Sequence, residues 1–283
     1  MSRSRSVAIV TDSTAYLPRE AVARHGITVV PLTVVLGGTA FEDGTGEAAR
    51  RLTRALQQRQ PVTTSRPGPA MFAAAYRAAA EAGAEGIVSL HLSSEISGTY
   101  DAAVVAARDA PVPVRVVDSQ MIAMALGFSV LAAVEAVAAG GTPDDAVAAA
   151  VKRAESTRAY FYVDTLEHLR RGGRIGAAQA LFGSALAVKP LLELSDGRIE
   201  PCERVRTASR AIARLEALAV EHAGTGRVDV AVHHLAAEER AMQLGERLRD
   251  RLPGLVDLHV SEVGAVIGAH TGPGLLGAVV SPR

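Results

Sequence analysis

His91-Leu92-Ser93-Ser94-Glu95-Ile96-Ser97-Gly98-Thr99-Tyr100 follows a short apolar run, Gly86-Ile87-Val88-Ser89-Leu90, and precedes the Ala-rich stretch Asp101 to Arg108. The first run reads as a buried strand and the last as a helix, so the quoted stretch is a strand-to-helix crossing. It carries the hydroxyls of Ser93, Ser94, Ser97 and Thr99 and the glycine Gly98. Hydroxyls and free backbone N–H groups at the start of a helix favour an anion, although the same residues also serve as plain helix caps. A second hydroxyl cluster, Thr63-Thr64-Ser65, lies upstream in Pro61 to Pro69, before a helical run over Ala70 to Ala82. Two such loops at the carboxyl ends of parallel strands mark the usual ligand position of an α/β sheet.

Working outward, strand and helix patterns alternate. Val7 to Val10 is a compact strand ending in Thr11-Asp12-Ser13-Thr14, and a short helix leads to His25-Gly26. Ile27 to Leu36 is β-branched but broken by Pro31, which predicts an edge or irregular strand. Glu47 to Gln58 reads as a helix with Arg50, Arg51 and Arg54 on its wet side, and Val114 to Val117 as a strand closed by Asp118-Ser119. These spacings predict a parallel sheet flanked by helices. Residues 121–139 predict a helix that is apolar on nearly every face, with Glu135 its one charge. Such a helix is buried all round or walls an internal cavity.

The pattern changes near Glu155 to Arg158, so residues 1–157 are read as an N-terminal α/β domain and 158–283 as a second α/β domain with a mixed or antiparallel sheet. Its expected elements are a strand at Ala159 to Val163, a short helix at Leu166 to Arg170 and an apolar helix at Ala177 to Ala187. A hairpin turning at Asp196-Gly197 follows, then helix 209–223, strand 228–233, helix 238–251 and strand 257–263.

Composition excludes several classes. Net formal charge is zero and aromatics make up 4%, with no Trp, which argues against nucleic-acid scaffolds and polybasic membrane anchors. Cys202 is the sole cysteine, so neither a disulfide framework nor a thiolate metal cluster is expected. The opening residues carry too short an apolar run for a signal peptide. The longest uncharged apolar stretch, Met121 to Val134, falls short of the roughly 18–20 residues that span a bilayer. A soluble, cytoplasmic protein without stable membrane insertion is expected.

Motifs for catalysis are incomplete. Gly272-Pro273-Gly274-Leu275-Leu276-Gly277 has dinucleotide-loop spacing, but only six residues follow it, too few for the helix and ribose-binding acid. Lys152 and Lys189, the only lysines, follow no glycine, so there is no phosphate loop. A serine-type acyl hydrolase or esterase is the alternative enzyme reading. The nucleophile elbow is nevertheless missing, since Gly127-Phe128-Ser129-Val130-Leu131 lacks its last glycine. His233-His234 sit next to each other on a strand and face opposite ways, one expected buried and the other wet. No metal site and no cofactor are expected. Two anion candidates remain: His270 in the turn Gly268 to Gly274, and Arg170-Arg171-Gly172-Gly173-Arg174, whose glycines allow close backbone approach.

Taken together, Thr11-Asp12-Ser13-Thr14, Thr64-Ser65-x-Pro67, the stretch from Leu92 to Tyr100, Val117-Asp118-Ser119, Leu169 to Ile175, Lys189-Pro190, Val205-Arg206-Thr207 and His270 to Gly274 run in this order over the whole chain. They resemble the DegV family of bacterial fatty-acid-binding proteins. Arg66 stands where that family often has Gln, and Glu95 where a small or varied residue is usual. The resemblance implies two α/β domains and a non-catalytic carrier that buries one long-chain fatty acid in its N-terminal domain. The carboxylate would be held near the domain interface by Thr64 and Ser94, with Thr63 and Ser97 close seconds and Ser65, Ser93 and His270 nearby. A separate fatty acid kinase would phosphorylate that carboxylate, with Arg171 and Arg174 near it or facing the kinase. Ile122, Ala125, Leu126 and Phe128 would line the acyl tunnel. Burial contributes roughly 0.8 kcal/mol per methylene, so a C16 tail supplies about 10 kcal/mol before entropy costs. The tail then sets affinity, and the polar groups set orientation.

Overall fold

The computed structural model describes residues 6–44, 46–58, 60–181 and 189–283. The chain divides into two compact units. The first comprises residues up to Thr33 and Ser65–Glu155, and the second comprises Val34–Thr64 and Ser156–Arg283. The later boundary falls where the sequence pattern changes. The stretch 34–64, read from sequence as part of the N-terminal domain, packs with the C-terminal unit instead.

In chain order the elements are β1 (Val7–Asp12), α1 (Arg19–His25), β2 (Thr28–Val30), β3 (Thr33–Leu36), β4 (Thr39–Glu42), α2 (Gly46–Gln57), β5 (Val62–Ser65), α3 (Pro69–Glu81), β6 (Gly86–His91), α4 (Thr99–Ala107), β7 (Val114–Asp118), α5 (Met124–Ala138) and α6 (Pro143–Ser156). They continue with β8 (Arg158–Tyr162), α7 (Glu167–Arg171), β9 (Lys189–Ser195), β10 (Arg198–Val205), α8 (Ala208–Ala223), β11 (Val228–His234), α9 (Glu238–Arg251), β12 (Leu255–Glu262), α10 (Ala265–Thr271) and β13 (Leu276–Pro282).

The first unit is built on a four-stranded parallel sheet in the order β2-β1-β6-β7. β6 is buried along its whole length, as its unbroken apolar reading requires of a central parallel strand. Side chains alternate between the faces. Val10 and Ile87 meet Phe72, Tyr76, Ala102, Ala103 and Ala106 of α3 and α4. Ile9, Val88 and Leu90 face Leu126, Val130, Ala133, Ala146 and Ala150 of α5 and α6. Small residues on α3 and α4 let both helices lie close on the strands. α6 begins with a reciprocal cap, in which Thr142 Oγ1 accepts from Asp145 N (3.2 Å) and Asp145 Oδ2 accepts from Thr142 N (2.8 Å). Pro31 does more than roughen a strand: it separates β2 from β3, and the two belong to different sheets.

The second unit carries a six-stranded mixed sheet, β10-β9-β8-β13-β11-β12, in which β11–β12 pair in parallel and the other neighbours antiparallel. α8 and α9 cover one face, packing Leu215, Ala219, Leu244 and Leu248 against Tyr162, Val230, Val232 and Ala278. The β9–β10 hairpin turns at Asp196 (φ 47°) and Gly197 (φ 75°), the left-handed pair that a two-residue turn demands. β13 runs between β8 and β11, an interior strand that the sequence reading did not assign.

Other expectations are revised. His233 and His234 are both buried, because β11 is an interior strand with both faces covered. The apolar stretch from Ala177 begins as a short 3-10 turn at Gly176–Leu181 rather than an α-helix, and its remainder lies outside the described residues. Thr63-Thr64-Ser65 is not a loop but β5, in a small sheet ordered β4-β3-β5. Among the described residues no helix is long and apolar enough to cross a membrane.

Candidate functional site

In the first unit, the carboxyl ends of β1, β6 and β7 carry Asp12, His91 and Asp118 on the face that α3 covers. Asp12 is fully buried and acts as a clamp. Its Oδ1 accepts from Thr14 N (3.0 Å) and Thr14 Oγ1 (2.5 Å), and its Oδ2 accepts from Leu92 N (3.0 Å). His91 Nδ1 lies 3.1 Å from the same Oδ2. Tyr76 Oη donates to Ser89 Oγ (2.9 Å), so Ser89 gives its own proton to His91 Nε2 (2.7 Å), and the Nδ1 proton belongs to Asp12.

Ser89, His91 and Asp12 thus reproduce the hydrogen-bond order of a catalytic triad. All three are sealed, however, and the Ser89 oxygen already accepts from Tyr76. The arrangement fixes the crossing between β6 and α4; it exposes no nucleophile.

The hydroxyls of that crossing have separate fates. Ser93 is buried and accepts from Glu95 N (3.2 Å). Ser97 Oγ accepts from Thr99 N (3.3 Å) and pairs with Thr99 Oγ1 (2.8 Å), closing the entry to α4. Ser94, half-buried, donates its Oγ proton to Asp118 Oδ2 (2.5 Å) and its backbone N–H to Asp118 Oδ1 (3.2 Å). The Arg66 guanidinium lies against Gly98, donating to its carbonyl (3.0 Å); a Cβ there would sit 1.8 Å from Nη1. A larger residue at that position would displace the guanidinium.

α5 starts from an unusual backbone, with Gln120 (φ 54°) and Ala123 (φ 56°) in the left-handed half of the map. Gly127 lets the helix press on the turn after β1, where a Cβ would stand 2.7 Å from the Ala15 carbonyl. Of the residues read as tunnel walls, Leu126 is wholly buried in the sheet core and Ile122 packs partly against it. Ala125 is buried, and Phe128, also buried, has the Arg153 guanidinium 5.7 Å from its ring centroid.

In the second unit, alternation along β5 turns Thr64 inward and leaves Thr63 and Ser65 exposed. Thr64 Oγ1 stands 2.9 Å from His270 Nε2, at the end of α10. The stretch 34–64 seats that helix. Asp43 Oδ1 accepts from Val266 N (3.0 Å) at the helix start, and a Cβ on Gly268 would fall 2.6 Å from Leu52. His270 Nδ1 is buried with no hydrogen-bond partner among the described residues. An orphan buried N–H is rarer than an orphan lone pair, so the ring proton belongs on Nε2, where Thr64 accepts it. Thr64 keeps its own hydrogen to donate. Burial, helped by the Arg174 cation, pushes the His270 pKa down to about 4.

The two turns read as anion candidates lie against each other. His270 rests on Gly172, where a Cβ would be 2.0 Å from Nδ1, and His168 rests on Gly272, where it would be 2.3 Å from the ring. Arg174 Nη1 donates to the Gly172 carbonyl (2.6 Å). Glu167 accepts from Arg170 (2.8 Å and 3.0 Å) and Arg171 (2.9 Å), and these contacts, Arg170's first, hold its carboxyl down at about 2. Among the described residues there is no group of three or more His, Cys, Asp or Glu side chains that could hold a metal ion.

A four-stranded parallel sheet in one unit and a six-stranded mixed sheet in the other define a two-unit α/β protein. The model of the DegV family, described as "Uncharacterised protein, DegV family", matches residues 6–283. The chain belongs to the DegV family. It is 74% identical over 280 residues to a DegV domain-containing protein of Streptomyces coelicolor, covering 99% of this chain and 100% of that one. Among solved structures, it matches a DegV family protein from Thermus thermophilus described for its fatty acid binding (TM-score 0.93, 34% identity, 98% of this chain and 100% of the other). DegV of Bacillus subtilis, described as a fatty acid binding protein, matches with TM-score 0.91 and 35% identity over 99% and 100% of the two chains.

The sequence reading passed over Asp12, His91, Asp118, Asp43 and His168. Asp12 and Asp118 each end a strand in an Asp-Ser pair, Asp12-Ser13 and Asp118-Ser119, which is a legible signal for an acid that organises a turn.

Proposed function

We propose that this chain is a cytoplasmic, non-catalytic carrier of one long-chain fatty acid. Thr64 and Ser94 take the carboxyl group and α5 contributes Ile122, Ala125, Leu126 and Phe128 to the acyl site. A separate fatty acid kinase then phosphorylates the carboxyl group to an acyl phosphate, and Arg171 and Arg174 face that partner. The observation that carries this reading is the Thr64–His270 pair: a neutral imidazole donates to Thr64 and leaves its hydroxyl a proton for a head-group oxygen. The fatty acid binding described for the Thermus and Bacillus proteins supports it, as does a helix buried on most of its faces.

Native mass spectrometry of the purified protein, followed by extraction and lipid identification, tests the proposal. One fatty acid per chain is expected, released on denaturation. A protein that arrives empty and takes up neither oleate nor palmitate overturns it. Turnover of a p-nitrophenyl ester, abolished by a serine-directed fluorophosphonate, would favour the hydrolase reading instead.

A further inference from the structure

Asp118 ends β7 and binds three donors. Oδ1 accepts from Ser94 N (3.2 Å) and, through a tight turn that sets Gln120 at φ 54°, from Gln120 N (2.9 Å). Oδ2 accepts the Ser94 hydroxyl at 2.5 Å. A serine hydroxyl has one hydrogen, and an aspartate carboxylate has only lone pairs. Once Ser94 gives its hydrogen to Oδ2, its Oγ has only acceptor capacity left. A second carboxylate brought to Ser94 would find no hydrogen there, and it would share one hydroxyl with a like charge.

We propose that Asp118 makes Ser94 a hydrogen-bond acceptor, so that the head group received at Ser94 brings its own hydrogen: an un-ionised carboxylic acid or a primary long-chain alcohol rather than a carboxylate. The proposal rests on the carrier reading and refines it. Ser94 sorts ligands by protonation state. Asp118 touches no ligand in this scheme and is a positioning residue. An asparagine at 118 reverses the sense of the contact. Its Nδ2 donates to Ser94 Oγ while its oxygen still accepts both backbone N–H groups, and the Ser94 hydrogen then turns outward to a carboxylate.

The test uses oleic acid labelled with carbon-13 at its carboxyl carbon, and oleyl alcohol, with the full chain at neutral pH. In the native protein the bound carboxyl resonance is expected at the position of the un-ionised acid. Oleyl alcohol should compete within about tenfold of oleic acid, the span of one hydrogen bond's contribution. Asp118→Asn should move the resonance to the ionised position and set the alcohol back by about tenfold or more. An ionised resonance in the native protein overturns the inference and leaves the carrier reading standing. An unchanged acid-to-alcohol preference in a folded Asp118→Asn variant overturns it equally. If the variant does not fold, the native resonance decides alone. If the native protein takes up neither lipid, the carrier reading falls and this inference falls with it.

Discussion

Thr64 and His270 lie 206 residues apart in the chain and 2.9 Å apart at Oγ1 and Nε2. β5 turns Thr64 inward by simple alternation, and α10 brings His270 to it on a seat made by Asp43 and Leu52. The imidazole is neutral, so it works as an oriented donor and not as a charge.

Replacing Thr64 with Ala removes the hydroxyl that receives the imidazole proton. Affinity for a long-chain fatty acid should fall by about threefold to tenfold, the worth of one hydrogen bond. Thr64→Ser should recover most of it. Displacement of a fluorescent fatty acid measures both, and a Thr64→Ala protein that binds like the native one removes Thr64 from the site.

Gly172→Ala places a methyl 2.0 Å from His270 Nδ1 while leaving Thr64 untouched. The ring must move, so fatty acid affinity should drop about as far as in Thr64→Ala, and the double substitution should add little to either one alone. Strict additivity would mean that the two positions act independently.

Stability should depend on acid. His233 and His270 are both held neutral by burial, each with its pKa pushed down to about 4 from 6.5. The unfolded chain takes up protons that the folded one refuses. Their contribution is therefore complete above about pH 6.5 and is lost as pH falls from there toward about 4. Urea midpoints measured across this window should fall, and His233→Gln should flatten the curve. A midpoint that stays constant would contradict the neutral-histidine assignment.

Glu216 of α8, mostly buried, accepts from Arg247 Nε and Arg251 Nη1 of α9, both at 2.7 Å. Glu216→Ala should lower unfolding free energy by about 2 kcal/mol, less than for a wholly buried pair because both arginines are half exposed. Lipid uptake at a fixed concentration should not change. Urea unfolding beside a binding assay separates the two effects.

Arg171→Ala should leave fatty acid binding intact and slow acyl phosphate formation by the partner kinase. Equal turnover with native and substituted carriers would take Arg171 off the docking face.

Alternation and punctuation made much of this fold readable in the sequence. Gly86 to Leu90 reads as a buried strand and is one, and Asp196-Gly197 reads as a hairpin turn and makes it. Long-range pairing was not readable. The run of three hydroxyls at 63–65 looks like a loop because Thr and Ser suit both turns and strand surfaces, and only the pairing of β5 with β3 decides. The same pairing selects Thr64 over its neighbours. The Ser94 hydroxyl was legible in the crossing after β6, but the direction of its proton was not, since that depends on an acid 24 residues away. One of His233 and His234 was expected to be wet because no local pattern announces that β13 and β12 flank their strand.

The assignment of 34–64 to the second unit has a practical consequence for anyone dividing the gene. A cut at the visible change of pattern, between Glu155 and Ser156, yields a downstream polypeptide that holds His270 without Thr64 and α10 without Asp43. The upstream product carries those partners on a stretch that has lost the elements it packs with. Neither fragment is a domain in the sense of an exchangeable part. Recombination or truncation at that site should therefore leave the upstream fragment with the whole first unit and an unpartnered 34–64 stretch, and the downstream fragment with an incomplete second unit.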